Sequence, residues 1–152
     1  APPRLEIEVP ETALLADTSL TRDLIEEIKG LGVRIALDDF GTGYSSLSYL
    51  HKLPLDKVKI DRSFLIDVTQ NERSLELLKG IVGLSRRIGL QVTVEGVETF
   101  DQLKALAVAV KPDLVQGFLF GSALSATGIE TMSKTVWPFA EKIRTARRAA
   151  RA

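Results

Sequence analysis

VRIALDD, at residues 33–39, is a short β-rich run that ends in two acidic residues. Four other runs share this β-rich composition, and amphipathic stretches with helical periodicity separate them. The predicted strands are Leu5–Val9, Val33–Leu37, Lys57–Ile60, Leu90–Val94 and Leu114–Val115, and the clearest predicted helices are Leu20–Leu31, Ser74–Ile88 and Thr99–Val108. Strands that alternate with helices in this way form a parallel sheet through right-handed crossovers. The sequence therefore predicts an α/β fold.

Signals for helix ends accompany these stretches. They are an N-cap at Ser74, helix-ending glycines at Gly32 and Gly89, a capping box of Thr99 with Gln102, and a short helix opened by Ser45 and Ser46 ahead of Pro54.

Polar side chains follow each predicted strand, where the strand ends. They are Glu8 and Glu11, Asp38 and Asp39, Lys59 and Asp61, Glu95, and Gln116. In parallel α/β folds the carboxyl ends of the strands face one mouth, where active sites lie. Converging carboxylates repel one another, and a single lysine does not balance them, so the pattern predicts bound divalent metal. Ligands that are all oxygen favour Mg²⁺ or Mn²⁺ over zinc.

The composition limits the chemistry further. The chain has 152 residues and no cysteine, with 20 basic and 20 acidic side chains, which fits one globular domain without disulfides, zinc-thiolate sites or thiol nucleophiles. The single histidine, His51, is predicted to lie on the surface, so catalysis has to use carboxylates, lysine and metal-bound water. No apolar run is long enough to span a bilayer, and we expect a cytoplasmic domain.

Charge is distributed unevenly along the chain. Residues 134–152 contain six basic side chains and one acidic side chain, Glu141. We interpret this segment as a solvated basic helix or linker, with no DNA or RNA partner expected.

A glycine loop, FGTGYSSL at residues 40–47, follows the two aspartates. Its glycines permit close backbone approach to a ligand, although a purely structural turn is at least as common. The DFG triplet also occurs in kinases, but the other kinase motifs are absent.

The sequence resembles the EAL-domain family of bacterial cyclic di-GMP phosphodiesterases. The resemblance rests on DDFGTGYSSLSYL (38–50), VKIDRSF (58–64), VEGVET (94–99), VQGF (115–118) and LEIEVPET (5–12), in the family's order. It implies a TIM-like (β/α)8 barrel that hydrolyses cyclic di-GMP to linear pGpG with two divalent cations, Mg²⁺ or Mn²⁺, in second-messenger signalling. It also implies a homodimer and leaves room for sensor or GGDEF-type domains upstream.

The same resemblance implies a role for each matching residue. The implied metal ligands are Glu8, Asp38, Asp39 and Glu95; the implied catalytic residues are Lys59 and Glu95; Gln116, Gly41 and Thr42 are implied at the substrate; and Glu11 and Glu98 are implied to hold the glycine loop closed.

The resemblance covers only the C-terminal part of the domain. Residues 1–133 correspond to strands four to eight, about five of eight βα units, and the family's Glu-Ala-Leu and Asn strands have no counterpart. We therefore expect a fragment that binds metal poorly and hydrolyses little alone, from an active parent that could be anchored to the inner membrane. Residues 107–111 are about one residue longer than the family pattern.

Two alternatives remain open at this point. One is an EAL-like module that binds cyclic di-GMP or a protein partner without turnover. The other is a different metal-dependent barrel enzyme that acts on phosphate esters.

Overall fold

The computed structural model describes residues 4–15, 18–43, 47–134 and 139–150. Five strands form one sheet in the order β1-β2-β3-β4-β5, and every neighbouring pair is parallel. The strands are β1 (Glu6–Pro10), β2 (Arg34–Phe40), β3 (Lys57–Ile60), β4 (Gln91–Val94) and β5 (Leu114–Val115). All five predicted strands are present, and sequential order in a parallel sheet is the arrangement of a barrel wall.

Six α-helices are described. They are α1 (Thr18–Gly30), α2 (Leu47–Lys52), α3 (Glu72–Arg87), α4 (Phe100–Ala105), α5 (Ala126–Ser133) and α6 (Phe139–Ala149). Short 3₁₀ segments occupy Glu11–Leu15, Arg62–Leu65 and Phe118–Phe120. None of the described helices combines the length and apolar character needed to cross a bilayer.

Three of the predicted signals for helix ends are confirmed. Gly32 and Gly89 follow α1 and α3 with φ of 84° and 88°, and Thr99 with Gln102 forms the capping box of α4. The predicted cap at Ser74 is wrong, because α3 begins two residues earlier. Asn71 is its N-cap, with a side-chain oxygen that accepts from the N–H groups of Arg73 and Ser74 at 3.0 and 3.4 Å. Ser45 and Ser46 lie outside the described residues.

The two faces of the sheet have opposite character. Alternate residues such as Ile35, Leu37, Val58, Ile60, Val92 and Val94 are at most 1% exposed and pack against the helices. The intervening residues, which point to the other face, are mainly polar or charged, among them Glu6, Glu8, Lys57, Lys59 and Thr93. The apolar core therefore lies between sheet and helices, and the chemistry lies on the inner face.

A π-helical turn, Leu106–Val110, follows α4 directly. It replaces the last part of the helix predicted over Thr99–Val108, and such turns accommodate an extra residue in a helix. Lys111 N–H donates to Leu106 O at 2.6 Å, and the next residue, Pro112, has no N–H to offer. The buried carbonyl of Ala107 is therefore left to accept from Arg147 Nε in α6 at 3.0 Å.

Helix α6 packs against the domain through apolar, cationic and hydrogen-bonding contacts, with Ile143 against the core. Besides the Arg147 hydrogen bond, the rings of Phe139 and Phe100 lie 5.8 Å apart, and Lys142 Nζ lies 5.6 Å from the centre of the Phe100 ring. The basic segment is thus partly a helix that packs on α4 and its π-helical turn.

Replacement of Arg147 by methionine keeps the aliphatic stem and removes the guanidinium. The buried carbonyl of Ala107 then loses its donor, so we expect the free energy of unfolding to fall by about 1–3 kcal/mol. Chemical denaturation measures this loss. The matched control is Arg148→Met on the same helix, and equal stability of the two variants would contradict the assignment.

Candidate active site

A bulge at the end of β2 brings both aspartates to the same mouth. The pairing of β2 with β3 shifts register between Leu37 and Phe40, and Asp39 has a left-handed φ of 53°. Consecutive strand residues otherwise point to opposite faces, so the bulge is what allows Asp38 and Asp39 to point together. The expectation that the strand ends before both aspartates is therefore wrong, because it continues to Phe40.

Three carboxylates converge at this mouth. One oxygen each from Asp38, Asp39 and Glu95 lies within 4.8 Å of the other two. Glu95 follows β4 directly, and its N–H donates to Ile60 O of β3 at 3.0 Å, which fixes its backbone beside the neighbouring strand. The group has the spacing at which carboxylates share a cation.

Lys59 stands among four acids and pairs with three of them. Its Nζ lies 2.8 Å from Glu8 Oε2, 2.9 Å from Asp38 Oδ1 and 2.9 Å from Glu95 Oε1. Burial alone would lower the pKa of this side chain, but the contacts with Asp38, Glu8 and Glu95 outweigh burial and raise the pKa. Lys59 therefore carries a positive charge at neutral pH.

The small side chain of Ala36 leaves space on β2, so the lysines of β3 reach the glutamates of β1. Ala36 is fully buried and pairs in register with Glu8 on one side and Lys57 on the other. Below the Lys59 group, Lys57 Nζ contacts Glu6 Oε1 at 2.6 Å in a second ion pair. Two ionic layers thus fill the inner face, where barrels more often place branched apolar side chains.

The negative charge at the mouth exceeds what Lys59 balances. Glu8, Asp38, Asp39 and Glu95 supply four carboxylates around one ammonium. Burial raises the pKa of Glu95; Lys59 opposes this, and repulsion from Asp38 and Asp39 adds to it, with a net upward shift. An all-carboxylate donor set with excess negative charge fits a hard divalent cation such as Mg²⁺ or Mn²⁺.

A cavity of about 570 Å³ opens beside these carboxylates. It is lined by Asp39, Glu95 and Gln116, and also by residues of the neighbouring loops, namely Asp61, Arg62, Glu98 and Phe118. Burial raises the pKa of Asp61, but hydrogen bonds from Ser63 outweigh it and lower the pKa overall. Asp61 is thus an anion in the cavity wall. The volume is in the usual range for small-molecule sites.

Gly41 and Thr42, predicted to contact the substrate, shape the loop in this structure. Gly41 N–H donates to Glu11 Oε2 at 2.9 Å, and Glu11 is only 4% exposed. Thr42 Oγ1 donates to Asp39 O at 2.9 Å, across the turn that follows the bulge. Glu11 therefore holds the beginning of the glycine loop, and Thr42 stabilises the backbone of Asp39.

Three other residues singled out in the sequence lie outside the close group of carboxylates. Glu8 is half-exposed and joins the group through Lys59 rather than through the close set of three carboxylates. Glu98 lines the cavity, and its implied contact with the glycine loop stays a prediction, because residues 44–46 lie outside the described part of the chain. His51 is exposed at the end of α2, as expected.

Sequence reasoning missed some residues of the cavity. The sequence predicts Asp61 only as an acid at a strand end, and it predicts no role for Arg62 or Phe118. The position of Asp61 directly after β3 was a usable signal. For Arg62 and Phe118 the only signal is their place in the motifs VKIDRSF and VQGF, because the fold alone brings their loops beside Glu95.

Comparison with known proteins identifies the family. Residues 1–123 match the EAL domain model, and the chain belongs to this family. The cyclic di-GMP phosphodiesterase NbdA of Pseudomonas aeruginosa is 44% identical over 126 residues, which are 83% of this chain and 16% of NbdA. The chain thus spans about a sixth of that relative.

Solved structures agree in fold. The PaMucR phosphodiesterase, in a c-di-GMP complex, matches 84% of this chain and 51% of its own, with a TM-score of 0.76 and 37% identity. Klebsiella pneumoniae BlrP1, in a manganese/cy-diGMP complex, matches 80% of this chain and 31% of its own, with a TM-score of 0.74 and 33% identity. The predicted TIM-like fold of the EAL type is confirmed, with five parallel strands as part of the barrel.

The two glycines of the loop should differ sharply in tolerance to alanine. At Gly41, φ is +105° and a Cβ would lie 2.1 Å from Phe64 Cε2, whereas at Gly43 the nearest atom, Glu11 Oε1, is 3.4 Å away. We expect Gly41→Ala to lower the free energy of unfolding by about 2 kcal/mol through backbone strain and collision. Gly43→Ala is the control, measured in the same denaturation series. Equal effects would rule out this account of the loop.

Proposed function

We propose that this chain is the C-terminal portion of an EAL domain that hydrolyses cyclic di-GMP to linear pGpG. The observation that carries the proposal is the convergence of Asp38, Asp39 and Glu95 beside Lys59, at the rim of a cavity in the mouth of a parallel sheet. The cyclic di-GMP phosphodiesterase NbdA and the cyclic di-GMP complexes of PaMucR and BlrP1 support cyclic di-GMP as substrate.

The carboxylates would hold two divalent cations, Mg²⁺ or Mn²⁺. Asp38, Asp39 and Glu95 are the nearest set, with Glu8 as a further ligand on β1. Such ions supply Lewis-acid stabilisation of a phosphodiester and lower the pKa of bound water. Lys59 would orient the attacking water and stabilise developing negative charge, since its ammonium stays protonated, and Glu95 would ligate a metal or accept a proton. Gln116 would contact the substrate from the cavity wall.

The domain boundaries that we propose are those of a partial barrel. Residues 1–133 would be the C-terminal portion of an EAL domain, strands four to eight, and residues 134–152 a basic C-terminal helix or tail. β1 is an edge strand whose outer side has no partner among the described residues, and α1 exposes Leu20, Leu24 and the following Leu31 at 69, 55 and 70%. The missing βα units of a complete barrel would cover both surfaces, and without them we expect weak metal binding.

The cellular setting follows from the substrate. Cyclic di-GMP is an intracellular messenger, so we place the domain in the cytoplasm. The relative MucR is named a bifunctional diguanylate cyclase and phosphodiesterase, which supports a GGDEF-type domain upstream in the parent protein.

Substitution of Asp38 by asparagine in the complete domain tests the site. Loss of one anionic ligand should reduce the uptake of Mn²⁺ or Mg²⁺ in calorimetry, and should lower formation of pGpG by about 100-fold or more. Asp23→Asn, on the exposed face of α1, is the control. Unchanged metal uptake and turnover in Asp38→Asn would reject the assignment. Binding of cyclic di-GMP by the wild type without any pGpG would favour the non-catalytic module instead.

We also propose that the domain forms a homodimer through the outer face of α3. Leu77 and Leu84 on this face, and Ile88 directly after the helix, are 56, 41 and 40% exposed. Gly80 and Gly83 lie beside them, and nothing in the described part of the chain lies within 4 Å of a Cβ built at either position. Helical glycine costs about 1 kcal/mol, so glycines that the chain's own packing does not require suggest the close approach of another surface.

A second copy fits this face by charge. If two α3 helices cross antiparallel between Gly80 and Gly83, each Gly80 lies opposite Gly83 of the other copy. The same register places Glu76 opposite Arg87, so the ends of the contact pair opposite charges.

Charge introduced at Leu84 should therefore separate the copies. We expect Leu84→Lys in the complete domain to shift the mass in solution from dimer to monomer, measured by light scattering, because the same register places the new ammonium opposite Lys79 of the other copy. Ile129→Lys, at an exposed apolar position on α5, should leave the dimer intact. A monomeric wild type, or a dimer that survives Leu84→Lys, would exclude this interface.

A further inference from the structure

Two loops face each other across the cavity beside the carboxylates. One loop follows β3 and contributes Asp61 and Arg62, and the other follows β4 and contributes Gly96 and Glu98. The two loops come from different βα units, so no chain continuity sets the distance between them.

The loops touch at one point. Gly96 has a φ of +72°, and a Cβ built there would lie 2.2 Å from Cβ of Arg62. Only glycine permits this approach, because any side chain at residue 96 would push the loops apart.

Gln102, in the first turn of α4, joins both loops through its side-chain amide. Its Oε1 accepts from the N–H groups of Glu98 and Thr99 at 2.9 and 3.0 Å. Its Nε2 donates to the carbonyl of Leu65, in the 3₁₀ segment that follows Asp61, at 3.3 Å. The acceptor end of the amide thus holds the loop after β4, and the donor end holds the loop after β3.

The second of these bonds is not needed to cap the helix. A capping box requires only an acceptor at this position, which glutamate supplies as well as glutamine. Nε2 is the atom that distinguishes glutamine from glutamate, and here it donates a hydrogen bond to the opposite loop.

We propose that Gln102 is a positioning residue that fixes the distance between the two cavity walls, and thereby sets the affinity of the site for its substrate. The proposal rests on the proposed function, since it takes the cavity to be the binding site for cyclic di-GMP. Gln102 lines no part of the cavity and acts only through the loops that it joins.

Gln102→Glu separates the bridge from the cap. The carboxylate still accepts from Glu98 N–H and Thr99 N–H, and a negative charge in the first turn of a helix is favourable. Toward Leu65 it presents an oxygen to a carbonyl oxygen, so that bond is lost. In the complete domain we expect KM for cyclic di-GMP to rise about tenfold, the equivalent of about one hydrogen bond, with kcat changed by less than about twofold.

Thr99→Ala is the matched control. Thr99 Oγ1 accepts from Gln102 N–H at 3.2 Å, so this variant weakens the cap and leaves the bond to Leu65 in place. We expect a lower melting temperature with KM unchanged. A residue that only stabilised α4 would show the reverse ranking, with the larger KM effect in Thr99→Ala.

Hydrogen–deuterium exchange gives a result that does not depend on turnover. In Gln102→Glu the amides of residues 62–68 should exchange faster, while Glu98 and Thr99 keep their protection. Unchanged exchange in residues 62–68, or unchanged KM with an active wild type, would overturn the proposal. Failure of the proposed function would show differently, as absent hydrolysis by the wild type with the exchange pattern of the variant still altered.

Discussion

The ammonium of Lys59 is the interaction on which the inner face of the sheet depends. It lies within 2.9 Å of carboxylates from β1, β2 and the end of β4, and is itself only 7% exposed. One cation thus joins three acids carried by different strands. Without it, burial and mutual repulsion would favour protonation of the acids, as the raised pKa of Glu95 already indicates. One ammonium does not balance four carboxylates, so Lys59 holds the acids in place and leaves an excess of negative charge. That combination suits a site that takes up metal.

Two local features make this arrangement possible. The bulge at Asp39 turns two consecutive side chains toward one mouth, which a regular strand does not permit. Ala36 leaves space above β2, so that Lys57 and Lys59 reach glutamates two strands away. Polar side chains in a barrel interior are costly to bury unless they are paired, and each lysine here has a carboxylate within 2.8 Å. The helix-facing side of the same strands is fully apolar, which supplies the stability that the ionic side does not.

Much of the fold and of the site could be predicted from the sequence. The features that could not be predicted all depend on contacts between separate segments. Strand positions, the capping box at Thr99 and the acids at the strand ends follow from periodicity and local chemistry, which a single segment contains. The bulge at Asp39 does not, because it depends on the register between β2 and β3. The cavity walls at Arg62 and Phe118 depend likewise on loops that meet only in the fold. Serine and asparagine both favour the N-cap position, so the sequence alone does not separate Ser74 from Asn71, and Asn71 is the cap because the helix begins at Glu72.

Helix α4 connects the site to the C-terminal end of the chain. Its first turn is tied through Thr99 and Gln102 to the loop that carries Glu95 and Glu98. Its far end passes into the π-helical turn, where the carbonyl of Ala107 accepts a hydrogen bond from Arg147 of α6. Phe100, at the beginning of α4, also packs against Phe139 of α6. The basic C-terminal helix therefore contacts the first residue of α4 and the π-helical turn that follows it, so a displacement of α6 would act on the short helix whose cap positions one wall of the cavity. Since α4 has only six residues, its stability comes from these contacts rather than from helix propensity.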